Sequence, residues 1–307
     1  MGLFDRSGGV RLAVAPGVVR PGTTVTAQIT TGSPIGRVTA ATLEWGYDNA
    51  YRYHWAGRAD AAASAGNDSL LTAGQVGTNY GSERETRDWV CVQRVDLQLA
   101  TDEFAEAAAD FRVPSWAPGS SSELVRWGCR LLIARRGRDI DARGEFVVVI
   151  GASDAGGGVE VAGPPPATER YWGDGATDVE LLLSESVFVA GQTISGEVVL
   201  QPRSDLPEGD LAVSAQLRRD FHPLERYPAQ TTEADRRIVQ LGKKIPLRAG
   251  GRTVLPFEVP LPADAAPSGQ AVHSSVSWSI AARLMYAGFS GPGIERVRRP
   301  IVVVNAV

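Results

Sequence analysis

The feature that most constrains this chain is its punctuation. Runs of roughly five to ten residues, rich in branched and aromatic side chains and often alternating apolar with polar, are separated by Gly, Pro, Asp, Asn and Ser. Such runs span Val10–Val14, Thr24–Thr30, Val38–Trp45, Val90–Ala100, Glu123–Ala134 and Glu145–Ile150. They resume at Val179–Leu183, Thr193–Leu200, Leu211–Arg218, Arg237–Leu241, Thr253–Val259, Ser275–Leu284 and Pro300–Val304. A period of two places alternate side chains on one face of a strand, so the pattern predicts an all-β sandwich or barrel. Only Thr101–Ala109 (TDEFAEAAA) reads as a short helix, with Thr101 in a capping position.

An internal repeat sharpens this reading. The phrase VRLAVAPGVVRPGTTVT (10–26) lies over VELLLSESVFVAGQTIS (179–195) without a gap, pairing Leu12, Val18, Gly22 and Thr24 with Leu181, Val187, Gly191 and Thr193. Further landmarks follow in the same order: Phe111-Arg-Val-Pro114 over Phe257-Glu-Val-Pro260, Val125-Arg-Trp127 over Val276-Ser-Trp278, and Glu145–Val149 over Pro300–Val304. At 307 residues the chain has room for two domains with their own cores. We therefore expect two tandem antiparallel immunoglobulin-like β-sandwich domains, residues 1–151 and 178–307. The Gly/Pro-rich stretch 152–177 is expected to link them. A second irregular stretch, Gly57–Asp88, is expected as a surface loop inside the first half, as a functional loop or a tolerated insertion.

Composition removes several function classes. A net charge of −4 with no long basic run argues against charge-driven nucleic-acid binding. No stretch of some 18 apolar residues offers a spanning helix, and Met1–Arg6 lacks an export-type apolar segment, so the cytoplasm is the expected location. Cys91 and Cys129 are then expected as reduced core thiols.

Three histidines and two cysteines leave little for metal or nucleophile chemistry, and neither cofactor nor metal is expected. Asp220 and His222 share one strand face, the spacing of an acid–base or metal pair, although a solvated strand end explains them as well. The arginines Arg135, Arg136, Arg138, Arg296, Arg298 and Arg299 fit either an acidic ligand or solvated strand ends that deter edge pairing.

One stretch stands out as a candidate binding site. In LEWGYDNAYRYHW (43–55), Trp45, Tyr47, Tyr51, Tyr53 and Trp55 occupy odd positions, on one side of an extended chain broken by a turn near Asp48-Asn49. They suit a core face, an exposed protein-binding patch or a sugar-stacking shelf. Sliding the second half along pairs Leu43 with Leu217 and Trp45 with Arg219, which favours exposure.

The phrase VELLLSESVFVAGQTISGEVVL (179–200), with LPFEVPLPADAAPS (255–268) and Val276–Leu284, resembles the opening and the proline corner of an arrestin-type domain. The first half keeps the corner as FRVPSWAPG (111–119), but Pro21-Gly22-Thr23 lacks the usual Glu. The layout is similar to arrestins, bacterial sporulation-control proteins of that clan and the small retromer subunit. The resemblance implies two such sandwiches and a non-catalytic cytoplasmic adaptor that binds other proteins. A carbohydrate- or small-ligand-binding module is the alternative.

Overall fold

The computed structural model describes residues 9–56, 81–99, 101–154, 167–222, 230–288 and 293–306, with the backbone alone for 53–56 and 81–84. Among these residues the chain is all β, in several antiparallel sheets and without a helix. The first half contributes β1 (Val10–Ala15), β2 (Val18–Val19), β3 (Thr24–Ile35), β4 (Val38–Ala56), β5 (Gly81–Asp96), β6 (Phe104–Arg112), β7 (Val125–Arg135), β8 (Ile140–Glu145) and β9 (Val147–Val148). The second contributes β10 (Glu169–Trp172), β11 (Thr177–Leu183), β12 (Val187–Val189), β13 (Thr193–Pro202), β14 (Leu206–Phe221) and β15 (Gln230–Leu247). It ends with β16 (Thr253–Pro260), β17 (Gly269–Gln270), β18 (Ser274–Tyr286) and β19 (Ile294–Val304).

The halves share one strand order. Sheet β1-β3-β6 matches β11-β13-β16, sheet β5-β4-β7-β8 matches β15-β14-β18-β19, and the parallel pair β2-β9 matches β12-β19. Register agrees too: Leu12 faces Ile29 as Leu181 faces Val198, a common offset. Both β4 and β14 carry a bulge against their edge strand, after Trp45 and after Ser214. At Gly46 a Cβ would sit on the Val90 carbonyl, so this bulge has no room for a side chain.

Sheet packs on sheet through large side chains. Trp45 on β4 stacks on Phe111 of β6 at 5.2 Å, and Trp127 lies 4.9 Å from Tyr47. The prolines of the corner after β6 and after β16 cannot donate to a ladder, and the chain leaves the strand there. That frees the Pro118 and Ala266 carbonyls to accept from the indoles of Trp127 (2.9 Å) and Trp278 (2.8 Å), which are equivalent and buried.

These bonds correct one detail of the repeat. Val25 pairs with Phe111, whereas its equivalent Ile194 pairs with Val259, so Phe111 corresponds to Val259 rather than to Phe257. A two-residue slip leaves every side chain on its original face, which is why the apolar pattern conceals it.

Four further expectations change. Thr101–Ala109 is not a helix: Phe104–Arg112 pairs residue by residue with β3, and that pairing outweighs the helix propensity of Ala and Glu. Of the stretch Gly57–Asp88, residues 81–88 belong to β5 and 57–80 lie outside the described residues. Within 152–177, Glu169–Trp172 is a strand on β19, anchored by Arg170 against the buried Glu295 (3.1 Å). The cysteines are free thiols, but only Cys129 is core; Cys91 is exposed. Among the described residues no helix is long and apolar enough to cross a membrane.

Candidate functional site

The aromatic run of β4 leads to the junction of the two halves. No turn interrupts it at Asp48-Asn49, since β4 runs unbroken between β5 and β7. Tyr47 faces Trp127 in the ladder as Leu217 faces Trp278, so Trp45 corresponds to Ala215 and not to Arg219. Both are fully buried, so Trp45 is a core residue and the expected pairing with Arg219 was displaced by four residues. Tyr47 and Tyr51 are also buried, where the halves meet; the side chains of Tyr53 and Trp55 lie outside the described residues.

Asn49, fully buried, is the centre of that junction. Its Nδ2 donates to the Leu124 carbonyl (3.1 Å) and to Ser274 Oγ (2.8 Å), while Oδ1 accepts from the His273 backbone N–H (2.7 Å). Ser274 Oγ in turn donates to the Ala50 carbonyl (2.7 Å). Tyr51 lies against the His273 ring at 5.1 Å and donates to Asp88 at 2.6 Å. Burial raises the Tyr47 phenol above its ordinary value, partly offset by a hydrogen bond with the Val272 backbone of the other half.

A second tie lies farther along. Asn305 Oδ1 accepts from the Ile150 N–H (2.9 Å), and its own N–H donates to the Ile150 carbonyl (3.1 Å). Gly119 makes this approach possible: a Cβ there would lie 2.6 Å from Asn305 Oδ1 and 2.8 Å from Pro267 Cγ.

Charged side chains line one side of the junction, around a crevice of about 850 Å³ that Tyr51, Arg52, Glu85, Glu123, Arg219 and Arg236 share. Arg219, the counterpart of Asn49 in the ladder, donates to the Glu123 carbonyl (3.0 Å) and approaches Glu85 (3.4 Å). Arg236 reaches Glu123 (3.3 Å) and Arg52 reaches Glu85 (2.8 Å). The hydrogen bond from Arg52 holds the Glu85 carboxyl below its ordinary range, against the opposing effect of burial and with help from the charges of Arg52 and Arg219.

On the other side lies a crevice of about 590 Å³, lined by Tyr47, Cys91, Trp116, Ile150, Val272 and Val302 among others. Trp116 and Val272, one from each half, are 52% and 56% exposed and both line this crevice.

The remaining candidates lie elsewhere, most of them in contacts within their own half. Asp220 accepts from Arg218 (3.1 Å) and from Thr231 (2.7 Å), which hold its carboxyl below the usual range despite burial acting the other way. His222 is exposed, and no group of three potential metal ligands occurs among the described residues. Arg296, Arg298 and Arg299 are not at a strand end but inside β19, where Arg298 pairs with Glu169 and Glu233 and Arg299 donates to the Leu181 carbonyl. Arg135 closes β7, its guanidinium donating to the Arg138 carbonyl across the turn (2.7 Å).

Sequence reasoning missed Asn49, Gly119, Trp116, Arg219 and Asn305. For Asn49 a signal existed, since an amide in mid-strand is disfavoured unless its hydrogen bonds are met. The others carry no local mark. No known protein-family model matches the chain, and no curated protein matches it.

Proposed function

We propose that this chain is a tandem pair of arrestin-type, immunoglobulin-like β-sandwiches, 1–151 and 178–307, acting as a non-catalytic cytoplasmic adaptor. The strand order common to both halves and the twin indole-to-corner bonds support the architecture. The observation that carries the binding role is the crevice at the junction, whose rims expose Trp116 and Val272 while the ties around Asn49 and Asn305 hold its walls. An exposed Trp beside a preformed apolar crevice is the chemistry of an anchor residue at a protein interface. Of the buried aromatics of β4, Tyr47 lines that crevice, Tyr51 lines the charged crevice opposite, and Trp45 packs on Phe111 in the core. Tyr53 and Trp55, farther along the same strand, remain partner-binding candidates in this reading.

Diazirine photo-cross-linking in native extract, in which the carbene formed on loss of nitrogen inserts into any adjacent C–H or X–H bond, with mass spectrometry of the linked peptides, tests the reading. A partner whose cross-links fall around residues 115–119 and 269–272, and whose capture is lost in Trp116→Ala with the melting temperature unchanged, supports it. Capture that survives Trp116→Ala and Val272→Ser together refutes the crevice as the binding surface. The crevice volume also suits a small ligand. A small molecule co-purifying with the wild type and absent from the double variant would favour that alternative.

A further inference from the structure

The two halves differ in how they close one side. In the second half, β15 folds over with several register shifts and packs beside β16, whose edge also carries Pro256 and Pro260. Both devices prevent further pairing. In the first half, β6 pairs with β3 on one side, and no described strand lies along its other edge. Phe104–Arg112 contains no proline. Among the described residues its outward backbone donors and acceptors have no partner strand, and charged side chains alone flank them.

The side chains around that edge are of two kinds. Facing inward, Ala107 and Ala109 of β6 are half-buried, as are Val92, Val95 and Leu97 on and after β5, so an apolar row stays partly open between the two edges. Facing outward, Glu106, Asp110 and, at the end of the strand, Arg112 are exposed, and Asp102 and Glu103 precede the strand, so the face is acidic over most of its length. Asp110 accepts a hydrogen bond from Thr26 (2.7 Å), but none of these four carboxylates is in an ion pair among the described residues. The charges on β5 differ: Glu85, Asp88 and Arg94 are engaged with Arg52, Tyr51 and Glu44.

From this we infer that the β6 edge accepts an extended segment of a partner protein as an added strand, with basic side chains alternating with small apolar ones. The backbone ladder supplies affinity and the alternation supplies specificity: Lys or Arg over Glu106 and Asp110, apolar groups onto the half-open row. A second copy of this chain paired antiparallel with Glu106 opposite Asp110 sets acid against acid; only the register with Glu106 opposite Arg112 avoids this, and self-association is an outcome of the test below. The inference rests on the adaptor reading and adds the chemistry of a partner segment at a surface separate from the crevice.

The test uses the full chain and three labelled nonapeptides, followed by fluorescence anisotropy. One alternates Arg or Lys with Val, one replaces the basic residues by Glu, and one is the basic peptide N-methylated at alternate residues so that one edge cannot pair. The expected result is saturable binding of the basic peptide alone, lowered at least tenfold in Glu103→Lys/Glu106→Lys, with slower amide exchange in β6 on binding. Trp116→Ala should leave this binding unchanged. Equal binding of the N-methylated peptide, indifference to the charge reversal, or no saturation would each overturn the inference and leave the crevice reading to its own test. Self-association of the wild type, relieved by Glu106→Lys, would give the edge to a second copy and overturn it too.

Discussion

Asn49→Ala removes the central tie between the halves at little cost to either sheet, because the side chain takes no part in a strand ladder. The hydrogen bonds of the two Nδ2 protons, shared among the Leu124 carbonyl, Ser274 Oγ and the Ala50 carbonyl (3.2 Å), and the bond that Oδ1 accepts from the His273 N–H are lost, three donor protons in all. At a net worth of about 1 kcal/mol each, the loss is about 3 kcal/mol. The Leu124 carbonyl still accepts from the Ala50 N–H (2.8 Å), so the His273 N–H is the group most clearly orphaned. For 307 residues, at an unfolding entropy of about 2.1 cal/mol/K per residue, 3 kcal/mol corresponds to a fall of roughly 5 °C in melting temperature. Ser274→Ala breaks the same network from the other half, 225 positions away in sequence. Urea titrations of both single variants and the double variant form a cycle, and the two losses should fail to add by about 0.5 kcal/mol or more. Calorimetry adds an independent readout: with the tie cut, a single transition should broaden or divide as the halves begin to melt separately. A shift below about 0.5 kcal/mol for Asn49→Ala, or strict additivity with Ser274→Ala, would refute the reasoning that this network couples the halves.

Other outcomes follow from the same structure. Trp127→Ala and Trp278→Ala should each cost about 3–5 kcal/mol in a melting experiment, whereas the exposed Trp116→Ala should stay within about 0.5 kcal/mol. Equal effects at all three would contradict the equivalence of the two buried indoles. Burial pushes the Cys129 thiol up to about 12, against a weaker hydrogen bond with the Gly144 backbone, while Cys91 is exposed. A thiol-reactive chromogen at pH 8 should therefore count one thiol in the native chain and two in denaturant. The Glu85 carboxyl is held down by Arg52, so its contribution is present above the ordinary carboxylate range and lost as pH falls below it. The melting gap between wild type and Glu85→Gln should accordingly be open at pH 7 and close towards about pH 3. A gap that ignores pH would remove Glu85 from the junction.

Much of the architecture was legible in the residues alone. Period-two apolar runs, turn residues between them and one repeated phrase order identified the strands and their doubling, because which face a residue takes is a local property. Thr101–Ala109 was the exception, where pairing with β3 overrode propensity. The equivalences Leu12 with Leu181 and Trp127 with Trp278 were visible as text. The two-residue slip at Phe111 was not, since only the ladder distinguishes positions that share a face.

What tertiary structure decided is where the faces meet. The sequence marked Trp45, Tyr47 and Tyr51 as unusual yet left open whether core or solvent receives them. That depends on Phe111, His273 and Val272, which lie 66, 222 and 225 positions from Trp45, Tyr51 and Tyr47 and carry no local signal. The same holds for Arg219, which meets Glu85 and Glu123 only when the halves are docked, and for Gly119, whose missing Cβ makes room for Asn305 and Pro267 of the other half. Periodicity reports the environment of a side chain along its own strand. Burial at a junction is set by a second surface, and its position is fixed by packing and hydrogen bonding across more than 200 residues.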